Sequence, residues 1–369
     1  MTDKVVSPFF PVVSPNTLDG VLQTYPVTTR QTLEGFRRHT QAINGIINSL
    51  GNQRRNYLIN GSFACWQRGS SFNLSTVKYC ADRWRCDPAG GTLLATRVPV
   101  NLGQGAPSLR YCLYFKRPIA TAKQPDITNT IEGVCSLAGS ESTLSFWSYA
   151  TSNIGVNVSL EQNFGTGGSP SPSVYTTPIY VQFTPSWGYT PRNITIPSID
   201  GKTFGTNGDD FLRLHLTFPA NVTFEGYLAA VQVEEGDEAT PFERLPLGDE
   251  LVLCQRYFEK SYNLDNAPGS PWLLNSGEHF GTTHPTGIFR GGPSFKVRKR
   301  TVPNVKTYDA AGVSGLSYYD SSIGPYGAWA GGGAWSIGPT ASECGFYGGH
   351  NIASSIETQF SWTADADYY

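Results

Sequence analysis

The sequence predicts a mainly β protein, and three observations support this fold class. Glycine (40 residues), proline (25 residues) and aromatic residues (13%) are abundant, whereas charged residues make up only 15% of the 369 residues. Frequent turn formers are typical of short strands joined by tight loops. Segments that alternate apolar and polar residues recur after residue 56, and this period of two predicts strands with one buried face. The length allows two domains and a tether.

Residues 1–55 are expected to form an extended arm followed by a short helix. Residues 1–28 are rich in Pro and Thr and have no apolar period, which favours an arm. A helix is expected from about Arg30 to Leu50, with Gly51 ending it. Its apolar residues recur at alternating three- and four-residue steps, like heptad a and d positions. They are Leu33, Phe36, Ile43, Ile47 and Leu50, and Thr40 completes the series between Phe36 and Ile43. Three heptads are too short to be stable alone. The helix therefore either packs on its own sandwich or forms a bundle with identical helices of sister subunits.

Residues 56–245 are expected to form a two-sheet sandwich. Three segments in this range alternate with period two: residues 144–149, 156–160 and 212–216. Turn-forming residues at 165–170 and 207–208 separate them. Alternating strands at this spacing predict two packed sheets.

Residues 246–369 are expected to form a second, smaller β domain, because Leu245 to Gly248 reads as a boundary. Residues 249–258 fit either a short strand or a helix. The remainder is β-like and richer in glycine and aromatic residues, most of all at residues 326–335. Small residues between large rings favour a compact tip or a subunit interface over a disordered tail.

Charge and cysteine content narrow the possible partners. The net charge of −2 is spread along the chain, so we expect no nucleic-acid binding. The one dense basic run is interpreted as a solvated rim; it comprises Lys296, Arg298, Lys299 and Arg300. No signal peptide and no apolar run of 18 residues is present, so we expect synthesis in a host cytoplasm without membrane insertion.

Seven cysteines have no zinc-finger spacing, so burial as small apolar residues is the favoured interpretation, and no metal or other cofactor is expected. His279 and His284, beside Glu278, are a weaker metal-site alternative to a loop with solvated histidines.

An ordered series of motifs resembles phage tail fibre and prophage tail proteins. Residues 56–69, NYLINGSFACWQRG, are similar to the opening strand of their jelly-roll module. Further similar segments follow in order: residues 81–84, 144–147, 201–206, 231–236, 239–244, 253–258, 302–305 and 360–367. The resemblance implies a virion-attached, receptor-facing tail protein, usually a homotrimer, with a jelly-roll sandwich similar to carbohydrate-binding modules. Residues 1–55 would then attach it to other phage tail proteins.

One departure from related carbohydrate-binding jelly rolls concerns calcium. Their opening strand often carries an acid after its Phe, and a late strand carries a pair of acids that help to hold the ion. The matching positions here are Ala64, Ala229 and Ala230, whose side chains offer no oxygen. We therefore expect no calcium ion.

Glycan binding requires exposed rings that stack on the apolar face of a sugar. Trp187 and Tyr189, in a loop-like stretch, are candidates, and so are three residues of the glycine-rich tip: Trp329, Trp335 and Tyr347. The alternative for each is core or interface packing. Trp66 and Trp84 are expected in the core.

No catalytic residue is expected. Asp209–Asp210 and Glu234–Glu235 are adjacent pairs, and neighbours in a strand point to opposite faces, so they could not converge on a glycosidic bond. The favoured function is a fibre or receptor-binding protein that attaches to host surface glycan. One alternative is a non-binding virion protein, such as a tail adaptor, tail tip or head decoration. The other is a depolymerase tailspike, which usually needs a long parallel β-helix that this sequence lacks.

Overall fold

The protein is described by a computed structural model. It covers residues 54–102, 106–271, 279–282, 293–308, 311–314, 336–337, 343–345, 348–349 and 357–368. The expected arm and helix, with the heptad residues Leu33, Phe36, Ile43, Ile47 and Leu50, lie outside these ranges. Residues Arg55–Tyr369 form one compact unit.

Thirteen strands of the described chain build a two-sheet sandwich. In chain order they are β1 (Ser71–Leu74), β2 (Lys78–Tyr79), β3 (Trp84–Asp87), β4 (Leu93–Pro99), β5 (Tyr111–Arg117), β6 (Asp126–Glu132), β7 (Glu141–Ala150), β8 (Ile154–Asn163), β9 (Val174–Tyr175), β10 (Ile179–Phe183), β11 (Gly188–Thr195), β12 (Phe211–Thr217) and β13 (Phe224–Glu235). The first sheet has the order β1-β4-β5-β13-β7-β11, and the second has the order β10-β8-β12-β6-β3-β2 with β9 beside β8. All pairings are antiparallel.

The chain crosses between the two sheets repeatedly, for example between β5 and β6, between β7 and β8 and between β12 and β13, as in a jelly roll. The expected fold class, a mainly β protein with a jelly-roll sandwich, is confirmed. The three segments that alternate in sequence become β7, β8 and β12. Their alternation places one set of side chains between the sheets and the other set on an outer face.

The sandwich core lies between the two sheets and is rich in aromatic residues. Trp66 and Trp84 are almost completely buried, as expected. Each indole N–H finds a backbone acceptor at 2.8 Å: Trp66 donates to the Phe63 carbonyl and Trp84 to the Asn60 carbonyl. A buried ring of this size contributes most to stability when its polar atom is also paired.

The opening segment pairs with an irregular point in β13. The register of β13 shifts between Ala229 and Gln232, where Ala230 has a φ of 51°. At this bulge the Val231 N–H donates to the Gly61 carbonyl at 3.0 Å. A Cβ on Gly61 would lie 2.0 Å from the Val231 carbonyl oxygen, so only glycine permits the close approach.

The C-terminal part adds one helix and a small sheet. Its elements are α1 (Leu247–Gln255), β14 (Phe258–Lys260), β15 (His279–Thr282), β16 (Asn304–Tyr308), β17 (Ser336–Ile337), β18 (Gly348–Gly349) and β19 (Glu357–Asp365). β19 pairs with β14, β15 and β16, and β17 pairs with β18. The choice left open for residues 249–258 is thus resolved as a helix followed by a strand.

Buried charges join this part to the sandwich. Arg83 forms an ion pair with Asp367, both fully buried, and its guanidinium lies 3.5 Å from the centre of the Tyr257 ring. Arg68 also pairs with Asp367, at 2.9 Å. Burial raises the pKa of Asp82 to about 6, although Arg68 nearby lowers it.

The expectation of a solvated basic rim is wrong for two of its four members. Lys299 is fully buried, and its ammonium contacts the Glu259 carboxylate at 2.5 Å. The Arg300 guanidinium lies 3.9 Å from the Tyr368 ring centre and donates to the Ala366 carbonyl. The sequence of the basic run does not reveal that these cations are buried, because the group that pairs with a buried cation can lie far away in the sequence.

Burial of the cysteines is confirmed for five of the seven: Cys65, Cys80, Cys86, Cys112 and Cys254. Cys135 and Cys344 are exposed, so for these two the expectation is wrong. Within the described ranges, no helix has the length and apolarity needed to cross a membrane.

Candidate functional site

Six aromatic side chains lie together on the outer face of the first sheet. We call this set the aromatic face; it comprises Tyr114, Trp147, Tyr149, Trp187, Tyr189 and Tyr227. The rings come from four neighbouring strands or their ends, β5, β13, β7 and β11. With strands about 4.8 Å apart, the row extends for roughly 14 Å, which is longer than a single sugar ring.

Tyr227 stands at the centre of a four-ring group. Its ring centroid lies 5.1 Å from that of Tyr114, 5.5 Å from Tyr149 and 6.0 Å from Trp187. Tyr149 and Trp187 are also 6.0 Å apart. These spacings are typical of rings in contact, so the group forms a continuous aromatic surface.

Trp147 and Tyr189 form a separate pair beside this group, with centroids 5.6 Å apart. Both rings line a pocket of about 490 Å³, which is also lined by residues 239–242. This volume lies within the range of roughly 300–1,000 Å³ that is usual for small-ligand sites. The Tyr189 side chain is 45% exposed, which leaves its ring accessible from solvent.

Strand register explains why these rings meet. Tyr189 on β11 is the direct cross-strand partner of Trp147 on β7, and Tyr227 on β13 is the partner of Tyr149 on β7. Directly paired residues of an antiparallel sheet point to the same side. Leu144 and Phe146 alternate with these residues on β7 and fill the core instead.

Polar groups flank the four-ring group. The Glu225 carboxylate contacts the Lys116 ammonium at 2.8 Å, and this hydrogen bond holds the pKa of Glu225 below its ordinary value. Burial, followed by a hydrogen bond to Glu225, raises the pKa of Tyr114 to about 12. At neutral pH the face therefore offers a carboxylate acceptor, an ammonium donor and a phenolic hydroxyl beside apolar rings.

Of the predicted glycan-binding candidates, Trp187 and Tyr189 both lie on the aromatic face. Tyr189 is in a strand, β11, and not in a loop as expected. Gly188 and Pro191 made the segment look like a loop, but β11 is an edge strand, where proline is tolerated. Trp329, Trp335 and Tyr347 lie outside the described residues.

Sequence reasoning missed four rings of the face: Tyr114, Trp147, Tyr149 and Tyr227. The signal in β7 was its alternation, because Trp147 and Tyr149 fall in the opposite phase to Leu144 and Phe146. In an alternating strand, a large aromatic residue at a position that faces solvent indicates an outer surface that binds a ligand or a partner. The other two rings depend on register, which the sequence does not specify.

The outer face of the second sheet carries a charged cluster. His215 Nδ1 lies 2.6 Å from Asp126, and its Nε2 lies 3.2 Å from Glu161. Burial lowers the pKa of His215, but the hydrogen bonds to both acids outweigh this and raise it to about 9. The imidazole is therefore protonated at neutral pH and cannot serve as a general base.

The adjacent acids do not converge. Asp209 accepts hydrogen bonds from Thr166, whereas Asp210 accepts one from the Val134 N–H. Glu234 is buried, whereas its neighbour Glu235 is exposed. For Glu234 and Glu235 in β13 this divergence agrees with the expectation that neighbouring residues of a strand point to opposite sides, whereas Asp209 and Asp210 precede β12.

A second cavity, of about 510 Å³, lies where the sandwich meets the C-terminal sheet. Its lining includes Arg68, Tyr79 and Phe258. The Arg68 guanidinium covers both rings, at 5.1 Å from Tyr79 and 3.9 Å from Phe258. These rings are therefore used within the protein, unlike those of the aromatic face.

Comparisons with known proteins give likenesses to solved structures alone, since no family model and no curated protein matches the chain. The N-terminal cellulose-binding domain of Cellulomonas fimi β-1,4-glucanase C is 15% identical; the match covers 42% of this chain and 90% of that one, with a TM-score of 0.29. The CBM22-1 xylan-binding domain of Paenibacillus barcinonensis Xyn10C is 12% identical, with coverages of 48% and 93% and a TM-score of 0.29.

The enzymatically active domain of bacteriophage CBA120 tailspike protein 4 is also similar, with 12% identity and a TM-score of 0.30. That match covers 49% of this chain and 22% of the tailspike domain, so the chain corresponds to a small share of it. Likeness at this level of identity and TM-score says nothing about what the present chain binds.

Proposed function

We propose that this protein binds a cell-surface glycan through the aromatic face, as a receptor-binding component of a bacteriophage tail. The observation that carries the proposal is the row of six rings across four strands, with a pocket beside Trp147 and Tyr189. A row of this length suits an oligosaccharide better than a single small ligand.

Sugar chemistry fits the face on two counts. The C–H groups on one side of a pyranose ring form an apolar surface, which stacks on the negative face of an aromatic ring. The hydroxyl groups at its edge need hydrogen-bond partners, and Glu225 and Lys116 supply an acceptor and a donor. The site thus offers aromatic rings for the apolar faces of the sugar and charged groups for the hydroxyl groups at its edges.

The tail role is supported by the ordered motifs between residues 56 and 367 that resemble tail fibre proteins. We place the protein in the virion on this ground, with residues 1–55 as its attachment to other tail proteins and a homotrimer as its assembly. The host polysaccharide is its external partner.

The protein displays the glycan site and does not cleave the glycan. The two adjacent acid pairs diverge, and His215 is held protonated between two carboxylates on the opposite sheet. Glycoside hydrolysis needs two carboxyl groups on either side of one bond. Among the described residues, the acid that flanks the aromatic face is Glu225, and its carboxylate already forms an ion pair with Lys116.

The test is binding of the full-length protein to an array of bacterial capsular polysaccharides and lipopolysaccharide O-antigens. Wild-type protein should bind a subset of these glycans. Trp187→Ala and Tyr189→Ala should each weaken binding by at least about tenfold, because aromatic anchors carry a large share of the affinity of a site.

Tyr180→Ala is the matched control. Tyr180 is 62% exposed and lies on β10 of the second sheet, so its loss should leave binding unchanged. Equal losses in Tyr180→Ala and Tyr189→Ala would show that the aromatic face is not the site, and release of shorter oligosaccharides from a bound glycan would contradict the display role.

A further inference from the structure

Three buried side chains from different elements bring metal-ligating atoms together at the junction of the sandwich with α1. Cys65 lies in the opening segment, residues 56–69; Asp82 lies in the turn between β2 and β3, and Cys254 lies in the last turn of α1. Their thiol sulfur atoms and a carboxylate oxygen all lie within 4.8 Å of one another. All three residues are almost completely buried.

Asn60 fixes the backbone around two of these residues. Its side-chain oxygen accepts a hydrogen bond from the Cys65 N–H at 3.0 Å, and its side-chain nitrogen donates to the Cys65 and Asp82 carbonyls at 2.8 and 2.9 Å. The Asn60 N–H donates to Glu250, one turn before Cys254 in α1, at 2.6 Å. Ligands supported in this way need little rearrangement to bind an ion.

The Asp82 carboxylate is incompletely satisfied by protein groups. One oxygen accepts a long hydrogen bond from the Gln67 N–H at 3.3 Å. The other accepts none from the described residues, and the nearest Arg68 nitrogen is 3.5 Å away. A buried carboxylate oxygen without a hydrogen bond is costly, and a cation bound beside it would remove that cost.

The donor set selects the metal. Two sulfur ligands and one oxygen ligand suit zinc, whereas calcium and magnesium prefer oxygen alone. With Zn–S bonds of about 2.3 Å, tetrahedral ligand atoms lie about 3.8 Å apart, so small side-chain shifts from the present spacing are sufficient. A divalent ion balances two of the three negative charges of two thiolates and one carboxylate, and Arg68, which Asp82 shares with Asp365 and Asp367, lies beside the third.

We propose that Cys65, Asp82 and Cys254 form a zinc site that stabilises the fold. As each Zn–S bond forms, the thiol loses its proton to solvent, and no oxidation or reduction takes place. The ion ties the opening segment and the first hairpin of the sandwich to α1. Cysteine spacing did not predict this site, because its ligands meet only in the folded chain.

The test uses full-length protein produced in zinc-supplemented medium and purified without chelating resin, with zinc measured by mass spectrometry. Wild-type protein should contain about one zinc ion per chain. Cys65→Ser and Asp82→Asn should each lower the content to below about one tenth of the wild-type value. Cys112→Ser is the matched control, since Cys112 is equally buried but lies outside the cluster, and it should keep its zinc.

Protein produced in cobalt-supplemented medium gives a second measurement. It uses the wild-type chain, so it does not require a substituted variant to fold. Wild-type protein should then show the near-ultraviolet charge-transfer band of a cobalt–thiolate bond, and Cys112→Ser should retain it. The proposal is overturned by wild-type protein without zinc and without this band. Equal zinc contents in folded Cys65→Ser and Cys112→Ser, or a Cys65–Cys254 disulfide in zinc-grown wild-type protein, would also overturn it. Glycan binding is measured independently, so failure of either proposal leaves the other standing.

Discussion

His215 illustrates how two neighbours can fix the charge of one side chain. Burial alone would favour neutral imidazole, yet hydrogen bonds to Asp126 and Glu161 favour the charged form. The same contacts lower the pKa of Glu161 to about 2, against the opposing effect of its burial. His215 and Glu161 therefore both stay charged throughout the neutral range.

This cluster predicts a pH-dependent contribution to stability. The pKa of His215 rises from its ordinary 6.5 to about 9 on folding, so its stabilisation is complete below pH 6.5 and is lost as the pH rises through 9. His215→Gln should lower the free energy of unfolding by an amount on the order of 2 kcal/mol at pH 6, and the gap from wild type should close towards pH 10. Urea unfolding of both proteins across this range measures the gap.

Gln182→Ala on the same outer face serves as the control, because neither side chain titrates between pH 6 and pH 10. A gap between wild type and His215→Gln that stays constant from pH 6 to pH 10 would contradict the assignment of charge to His215.

At the scale of the element, the contact between the opening segment and the β13 bulge sets a strict requirement at Gly61. An added Cβ would lie 2.0 Å from the Val231 carbonyl oxygen, and this backbone atom cannot move aside as a flexible side chain could. Gly61→Ala should therefore lower the free energy of unfolding by roughly 3 kcal/mol or more. Denaturant unfolding monitored by tryptophan fluorescence reports this loss.

Gly248→Ala is the natural comparison, because a Cβ at Gly248 in α1 would meet no atom within 4 Å. In a helix this change should be neutral or should stabilise by up to about 1 kcal/mol. If the two substitutions have equal effects, the close approach at Gly61 does not constrain the fold.

Period-two alternation carried most of what the sequence could predict about elements. It located β7, β8 and β12, because each buries one face and exposes the other. It failed for β11, since Gly188 and Pro191 mark a loop unless the strand lies at an edge. The aromatic face was predicted only through Trp187 and Tyr189, because the register that adds Trp147 and Tyr227 is a property of paired strands.

At the scale of the whole molecule, the C-terminal end is held on the sandwich by buried charge. The motif that ends at Asp367 looked like framework in the sequence, but its partner Arg83 lies near the other end of the chain. Such ion pairs form only when the chain packs, so no local sequence pattern predicts them. The buried pair of Lys299 and Glu259 is another example.

Asp367→Asn tests this attachment. Removing the charge leaves Arg83 buried without its carboxylate, which should lower the free energy of unfolding by about 3–5 kcal/mol. Asp265→Asn removes the partner of Arg97 at a site where Asp265 is 71% exposed, and should cost less than about 1 kcal/mol. Thermal unfolding ranks the two variants, and comparable losses would refute a special role for the buried pair.

Assembly is the last property that the sequence addresses, through the heptad pattern of residues 30–50. An adhesin that presents several aromatic faces to one surface gains avidity, since the later contacts become intramolecular.

Light scattering of the full-length protein should therefore give about three times the chain mass, and Ile43→Asp with Ile47→Asp should reduce it to the mass of one chain. Asn48→Asp adds a charge outside the apolar seam and should leave the trimer intact. The monomeric double variant should keep its affinity for a soluble oligosaccharide and lose its tight binding to whole cells, whereas a monomeric wild type would remove the basis of the trimer prediction.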